Sequence, residues 1–194
     1  ANFWRAPTDN DFGFNMQKEW REWKMASNDQ RLTDFAIVSM NEDELQQLRN
    51  KTVKQRTALK SKKVKNCFVV VLSSYELPSV KGTVDIFYVI GKNGEIRVIL
   101  DLTLPENVEL DPLPRLGTNF SILKKYNLVS YYGRGPHENY QDRHTSAFVG
   151  RYSSTAEDLY FPYARPQENG YHTDTRWLEL TNEKGKGLRI TALN

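Results

Sequence analysis

The sequence of 194 residues contains one cysteine, three histidines and no long apolar run. Cys67 by itself forms no internal disulfide, and it excludes a zinc or iron–sulfur site built from several cysteines. The longest apolar stretches, such as residues 68–72, are far shorter than the roughly 20 residues that cross a bilayer as a helix. The N-terminus also lacks the basic and then apolar order of a signal peptide. We therefore expect a soluble chain without a membrane partner, in the cytoplasm or the periplasm.

The charge of the chain does not indicate a polyanionic partner. The net charge of +3 is small for this length, although one basic run contains no acid. That run consists of Arg49, Lys51, Lys54, Arg56, Lys60, Lys62, Lys63 and Lys65. It has no interleaved aromatic residues for stacking on bases, and lysines commonly protect a strand edge. We expect no nucleic-acid partner.

Strand patterns dominate the sequence. Residues 84–90 and 96–104 alternate apolar and polar side chains, and residues 91–94 (GKNG) between them suit a tight turn. This period of two predicts an antiparallel hairpin with one buried face. Further strands are predicted at 35–40, 67–77, 116–123, 128–132, 146–152, 175–181 and 187–193. Because strands do not alternate with helices, the predicted class is an all-β antiparallel sandwich.

One short N-terminal helix is predicted, at residues 16–26. Met16, Trp20 and Trp23 fall at i, i+4 and i+7 on one face, which favours core packing, and Asn15 could cap the helix. Residues 105–114 contain three prolines and predict a loop between an early meander and a later part rich in glycine, proline and aromatic residues.

Residues 5–11 (RAPTDND) form the first of three polar segments that could carry chemistry. Asp9, Asn10 and Asp11 offer oxygen ligands for a hard cation. Three side chains fall short of the six to eight oxygens that calcium takes. Asx turns and an ion pair from Arg5 to Asp9 or Asp11 are therefore favoured.

Residues 133–143 (GRGPHENYQDR) form the second polar segment, and two interpretations of it stay open. His137 and Glu138 could act as an acid/base pair on a sugar, as an aldose epimerase requires, if Pro136 holds them in a loop. Alternatively, the polar side chains satisfy loop backbone groups in a buried cluster. The third segment, residues 163–170 (YARPQENG) followed by His172, has the same character, and its aromatic residues beside amides and carboxylates also suit carbohydrate.

In order and spacing, the three segments resemble the C-terminal small-chain domain of β-galactosidases of glycoside hydrolase family two. The tryptophan-bearing helix fits the same pattern, so the resemblance covers nearly the whole chain. It implies an antiparallel supersandwich, similar to the galactose mutarotase fold, packed beside a catalytic (β/α)8 barrel. It also implies a retaining enzyme that hydrolyses terminal β-D-galactosides. The Mg and Na ions that the family often uses would be bound elsewhere in the parent enzyme, with no cofactor in this chain.

The sequence departs from the family pattern in two ways. The family domain continues for several strands beyond the position that matches Asn194, so we expect residues 1–194 to be a single partial domain, truncated at its C-terminal end. Retaining hydrolysis needs two carboxylates about 5 Å apart, and the resemblance places both on the absent barrel. The pair Asn41-Glu42 faintly mimics the acid/base segment of the family, but we interpret it as part of a solvated acidic turn. We expect no catalytic residue in this chain and no activity of the fragment alone.

The resemblance also indicates which residues contribute to the edge of a sugar pocket. Residues 114–120 match a family stretch near the active-site mouth, where Gly117 could serve as a hinge or merely relieve a strand bend. Candidate rim or carbohydrate contacts are Arg115, Gly117, Asn119, His137, Glu138 and His172. Candidate structural residues are Arg5, Asp9, Asp11, Asn139, Asp142, Arg143, Glu168 and Asn169.

The expected partners are the remainder of a β-galactosidase chain and, through it, a β-galactoside. Two rival functions remain: a free-standing carbohydrate-binding module and an aldose epimerase.

Overall fold

A computed structural model describes residues 1–49 and 67–193. The basic run beyond Arg49 lies outside the described residues. The chain forms two compact units, one of Ala1–Arg5 with Asn15–Asn119 and the other of Ala6–Phe14 with Phe120–Asn194. Each unit contains one four-stranded antiparallel sheet, which confirms the predicted all-β class. In the described ranges, no helix has the length and apolar character needed to cross a membrane.

The first unit is a meander of four strands in chain order. They are β1 (Arg31–Met40), β2 (Phe68–Leu77), β3 (Gly82–Ile90) and β4 (Ile96–Thr103). A 3-10 turn at Pro78–Val80 joins β2 to β3. The predicted hairpin is present, since Ile90 pairs with Ile96 and Gly94 takes a positive φ of 83° in the connection.

The buried face of this sheet lies under helix α4 (Glu42–Arg49). Its first residues, 42–44, were predicted from the sequence to be a solvated acidic turn. Leu45 and Leu48 point to the sheet and are fully buried against residues that include Val70 and Phe87. The helix begins with a reciprocal cap, because Glu44 N donates to Asn41 Oδ1 at 2.9 Å and Asn41 N donates to Glu44 Oε2 at 3.0 Å. The acidic residues are therefore the first turn of a helix, where negative charge is favourable.

The other sheet face is covered at one end by the N-terminal segment. Instead of one helix over 16–26, two short helices form, α2 (Met16–Glu19) and α3 (Arg21–Ala26), with Trp20 between them. Trp20 and Trp23 are both buried, and their packing overrides the local preference for a continuous helix. Asn15 lies in the left-handed region and makes no side-chain cap. Trp23 Nε1 donates to Asp111 O at 2.7 Å and so anchors the proline-containing loop.

The second unit contains helix α1 (Asp9–Gly13) and the remaining strands. They are β5 (Leu128–Gly135), β6 (Phe148–Thr155), β7 (Trp177–Thr181) and β8 (Gly187–Thr191), in the sheet order β6-β5-β7-β8. Strand β5 is central and contributes the buried side chains Val129 and Tyr131.

Two expectations about apolar alternation differ from the structure. Residues 116–123 form no strand, and only Gly117 makes an isolated bridge, to Asn2. Leu116, Phe120 and Leu123 are exposed. A strand needs a neighbouring strand to satisfy its backbone hydrogen-bonding groups, and the alternation of side chains alone does not supply one. In β4, Leu100 and Leu102 pack against the core that contains Trp23, whereas Ile96 and Val98 on the same face are exposed.

We predict that Leu45→Ala destabilises the first unit by about 2–5 kcal/mol, because it leaves a cavity beneath α4. The measurement is urea unfolding followed by circular dichroism. The matched control is Gln46→Ala, on the exposed side of the same helix, which should change stability by less than about 0.5 kcal/mol. Equal effects of the two substitutions would contradict the packing of α4.

Candidate functional site

The candidate site lies in the second unit, where the chain leaves β5. The Gly135-Pro136 peptide bond is cis, and the next residues enter a loop that returns to β6. Segments 160–175 and 6–14 supply most of the partners of this loop. The site is therefore a junction of loops held at one end of a sheet.

Asn139 is the buried centre of this junction, with no exposed surface. Its Nδ2 donates to Arg134 O and to His137 O, each at 3.1 Å. Its Oδ1 accepts from Thr173 N at 2.9 Å and from Thr173 Oγ1 at 2.5 Å. All side-chain hydrogen-bonding groups of Asn139 are thus satisfied internally, which a buried amide requires.

Glu138 is also directed inward, and its side chain is only 7% exposed. Its Oε2 accepts from Gly170 N at 2.6 Å. Its Oε1 accepts from Tyr163 Oη and from Arg143 Nη2, the latter at 3.1 Å. Arg143 also lies over the ring of Tyr140, with 4.6 Å between its Cζ and the ring centroid. The carboxylate is therefore the acceptor of a closed network rather than an open acid or base.

The histidines do not form a pair with Glu138. His137 is exposed, and its Nε2 lies 3.2 Å from Ser146 Oγ. His172 Nδ1 lies 2.9 Å from Arg134 O, so Nδ1 carries the proton that is donated to this carbonyl. His172 Nε2 is buried without a hydrogen-bond partner, and burial lowers the pKa of this imidazole.

Close backbone contact explains one glycine of residues 133–143. A Cβ at Gly133 would lie 2.9 Å from Thr175 Cα, so β5 can approach residue 175 only because residue 133 has no side chain. Tyr131 packs beside this point, with its ring centroid 4.6 Å from that of His172. Burial raises the pKa of Tyr131 to about 12, and its Oη donates to Pro136 O at 3.1 Å.

Residues 6–14 extend the same network within the second unit. Thr8 N donates to Asp11 Oδ2 at 2.6 Å, at the start of α1. Asp9 Oδ2 accepts from Gln167 Nε2 at 2.9 Å, and Asn10 Nδ2 donates to Asp142 Oδ2 at 2.5 Å. Because these oxygens accept hydrogen bonds from the protein, they do not converge as a cation site. Residues 1–49 and 67–193 contain no group of three metal-ligating His, Cys, Asp or Glu side chains.

Hydrogen bonds hold the third polar segment, residues 163–170, in the same way. Glu168 Oε2 accepts from Ala6 N at 3.1 Å, and Glu168 N donates to Pro7 O at 3.1 Å. Asn169 Oδ1 accepts from Phe161 N at 3.0 Å, while its Nδ2 donates to Phe161 O. Both side chains close loops onto backbone groups.

The remaining predicted residues belong to the first unit. Gly117 and Asn2 exchange two backbone hydrogen bonds, of 2.8 and 3.0 Å, and Asn2 Nδ2 donates to Asn119 Oδ1 at 3.3 Å. Gly117 has open space around a hypothetical Cβ and no positive φ. Arg115 is half-buried, and Arg5 lies over the Trp20 ring, with 4.8 Å between its Cζ and the centroid.

Three residues of the network were not singled out from the sequence: Thr173, and Arg134 and Tyr163, which lie within the second and third polar segments. Arg134 Nε donates to Asp174 at 2.6 Å, and its Nη1 donates to Ala147 O at 2.9 Å. Asp174 takes a positive φ of 55°, but a lone aspartate signals this only weakly. The pairing partners lie up to 40 residues apart, so only tertiary structure identifies them.

Comparison with known proteins identifies relatives of the whole chain. Residues 1–194 match the family model described as β-galactosidase small chain. Three proteins named β-galactosidase match nearly all of the chain, with 29% identity over 192 residues in Priestia megaterium, 31% over 194 in Streptococcus thermophilus and 33% over 191 in Lactobacillus delbrueckii subsp. bulgaricus. They cover 99%, 100% and 98% of this chain, respectively. The chain spans only about 16% of the length of each.

We predict that Asn139→Ala destabilises the second unit by about 3–5 kcal/mol, because it leaves several buried backbone and hydroxyl groups without partners. Asn10→Ala is the matched control, since it removes an amide whose single hydrogen bond is exposed, and it should cost about 1 kcal/mol or less. Urea unfolding measures both. A loss for Asn139→Ala no larger than that of the control would contradict the buried role.

We predict that His172 makes stability fall as the pH decreases below about 6.5, the ordinary pKa of histidine. Its folded pKa is lowered, so the unfolded chain takes up a proton first, and this uptake favours unfolding. His172 contributes a slope of at most about 1.4 kcal/mol per pH unit to the free energy of unfolding, and this contribution ends below its folded pKa. Urea unfolding between pH 8 and 5 should show this slope in the wild type and in His137→Gln, but not in His172→Gln. An unchanged slope in His172→Gln would contradict the assignment.

Proposed function

Because the chain belongs to the β-galactosidase small-chain family, we propose that it is a non-catalytic domain of a larger, retaining β-galactosidase. In this role it packs beside the catalytic barrel and contributes to the rim of the substrate pocket. The substrate of the whole enzyme is a terminal β-D-galactoside. The observation that carries the proposal is the family match over the whole chain, in which this chain spans only about 16% of the length of relatives named β-galactosidase.

The surroundings of Glu138 support a non-catalytic role. A retaining glycosidase needs one carboxylic acid that protonates the leaving oxygen and one carboxylate that attacks the anomeric carbon, about 5 Å apart. Glu138 is the acid most enclosed by the candidate site, and both of its oxygens accept hydrogen bonds from the protein. Asp174 is bound by Arg134, whose hydrogen bond lowers the pKa of this carboxyl group. The proposal therefore assigns the reacting acids, and any Mg or Na ions, to the remainder of the enzyme.

We assign the rim role to residues that lie at or near the surface. His137 and Asn119 are exposed. Arg115 is half-buried, and Gly117, which two backbone hydrogen bonds join to Asn2, lies two residues further along the chain, so we place both in the same role. Glu138 and His172 would support the rim indirectly, because Glu138 joins the loop that carries His137 to Gly170 N, and His172 Nδ1 donates to Arg134 O at the end of β5.

A second candidate function, carbohydrate binding by the chain itself, is favoured by exposed aromatic rings in the second unit. Tyr160 is 65% exposed and Phe161 53% exposed. The Phe161 and Tyr163 rings lie 4.6 Å apart between centroids. Aromatic faces at the surface suit stacking on the apolar face of a sugar ring.

The test compares the 194-residue chain, the complete polypeptide encoded by its reading frame and that polypeptide without residues 1–194. Hydrolysis of an aryl β-galactoside is the measurement. We expect activity only in the complete polypeptide, because the reacting acids and the pocket rim are both needed.

Enzyme-like hydrolysis by the 194-residue chain would overturn the proposal if it disappears in Glu138→Gln, since contaminating enzyme would survive that substitution. A complete polypeptide without hydrolytic activity would also overturn it. A saturable titration of galactose into the chain alone would favour the second candidate. Faster galactose mutarotation that is lost in His137→Ala or His172→Ala would instead indicate an epimerase.

A further inference from the structure

The sequence contains two Asn-Gly pairs, Asn93-Gly94 and Asn169-Gly170. In such a pair the backbone nitrogen of the glycine can attack the side-chain amide carbon of the asparagine, because glycine has no Cβ that restricts the required backbone rotation. The two glycines have similar backbone conformations, since Gly94 has a φ of 83° and Gly170 a φ of 76°. The reactivity of the two asparagines is therefore set mainly by the hydrogen bonds around them.

The pair Asn93-Gly94 lies at the tip of the hairpin between β3 and β4. Residues 92–96 are exposed, and Gly94 N donates to Gly91 O at 3.2 Å, at the long end of the range for this kind of bond. The Asn93 side chain contacts the nearby turn residue Glu95, because its Oδ1 accepts from Glu95 N at 3.1 Å and its Nδ2 donates to Glu95 Oε2 at 3.4 Å. These bonds are local and exposed to solvent, so the turn can open without disturbing the core.

The pair Asn169-Gly170 is held by tertiary hydrogen bonds at both reacting groups. Gly170 N, the atom that would attack, donates to Glu138 Oε2 at 2.6 Å, and the Glu138 side chain is only 7% exposed. The Asn169 amide is bound at both ends, because its Oδ1 accepts from Phe161 N at 3.0 Å and its Nδ2 donates to Phe161 O. Attack would first require the loss of a charge-assisted hydrogen bond from the attacking nitrogen and of both bonds to the amide.

We propose that Asn93 is a site of spontaneous deamidation in the native protein, and that Asn169 is protected from the same reaction. Gly94 N loses its proton and forms a bond to Asn93 Cγ, and the side-chain nitrogen leaves as ammonia. Water then opens the resulting succinimide ring, which yields aspartate or isoaspartate at position 93. The net change is one water taken up and one ammonia released. This inference does not depend on the proposed function, because it concerns one hairpin of the first unit.

Modification at this position changes the connection between two strands of the first sheet. Ile90 and Ile96 form the pair next to the turn, and the register of a hairpin follows from the geometry of its turn. Isoaspartate adds a methylene group to the backbone of that turn, and both products add a negative charge beside Glu95. Isoaspartate also leaves an exposed α-carboxylate, which is the group recognised by methyltransferases that act on isoaspartyl residues.

The test follows both asparagines in the complete polypeptide during incubation in mildly alkaline buffer. Peptides that contain residue 93 or residue 169 are analysed by mass spectrometry, which detects the replacement of the amide nitrogen by oxygen and locates it by fragmentation. Digestion is carried out in water enriched in a heavy oxygen isotope, so that deamidation during sample preparation is recognised by its heavier product. Isoaspartate is confirmed by methyl transfer from S-adenosylmethionine with an isoaspartyl carboxyl methyltransferase.

In native buffer we expect Asn93 to deamidate at least about tenfold faster than Asn169, because a hydrogen bond to a buried carboxylate must break before Gly170 N can react. In urea these tertiary contacts are lost, and the two rates should agree within about threefold. Native rates that differ by no more than the rates in urea would overturn the inference. A product at residue 93 that forms in urea but not in native buffer would also overturn it.

Two variants of the exposed turn test the assignment to residue 93. Asn93→Gln keeps the amide but lengthens the side chain, so that ring closure by Gly94 N becomes unfavourable, and it should abolish the acid product in the turn peptide without changing the rate at Asn169. Lys92→Arg is the matched control, since it alters the preceding exposed residue and should leave the rate at Asn93 unchanged. A product in Asn93→Gln that forms as fast as in Lys92→Arg would overturn the inference.

Discussion

The second unit depends on the internal satisfaction of one adjacent pair, Glu138 and Asn139. Asn139 joins the end of β5 to Thr173, and Glu138 joins the following loop to Gly170, Tyr163 and Arg143. Burying a carboxylate is favourable only when charge and hydrogen bonds compensate for lost water. That compensation fixes three loops at once. It also engages the acid that sequence reasoning considered for catalysis, so one set of hydrogen bonds determines both the shape of the junction and the partners of Glu138.

The strands could be predicted from local sequence, because the alternation of apolar and polar side chains with a period of two is visible among neighbouring residues. Strands β2, β3 and β4 lie where alternation predicted them. Pattern failed where the outcome depends on distant partners. Residues 116–123 alternate apolar and polar side chains but have no partner strand. Helix α4 was not predicted, because the acidic residues Glu42 and Glu44 are typical of a turn. The packing of Leu45 and Leu48 on the sheet is seen only in the structure. The break at Trp20 likewise reflects tertiary packing.

The residue types that form the candidate site could be predicted from the sequence, but the hydrogen bonds between them could not. The polar segments indicated which side chains gather, since amides and carboxylates beside prolines and glycines satisfy loop backbones. Which atoms meet is set by contacts between residues tens of positions apart, such as Glu138 with Gly170. The inward direction of Glu138 and the outward direction of His137 follow from these contacts, and no spacing rule distinguishes the two neighbours.

The tight approach of β5 to Thr175 has a practical consequence for enzyme discovery. Residue 133 is limited to glycine by the distance between two stretches of backbone, whatever reaction the surrounding protein performs. A screen of environmental sequences that relied on this glycine and the buried amide after it would collect proteins sharing an architecture. Sorting those proteins by substrate would require residues that touch the sugar, which this steric signature does not report.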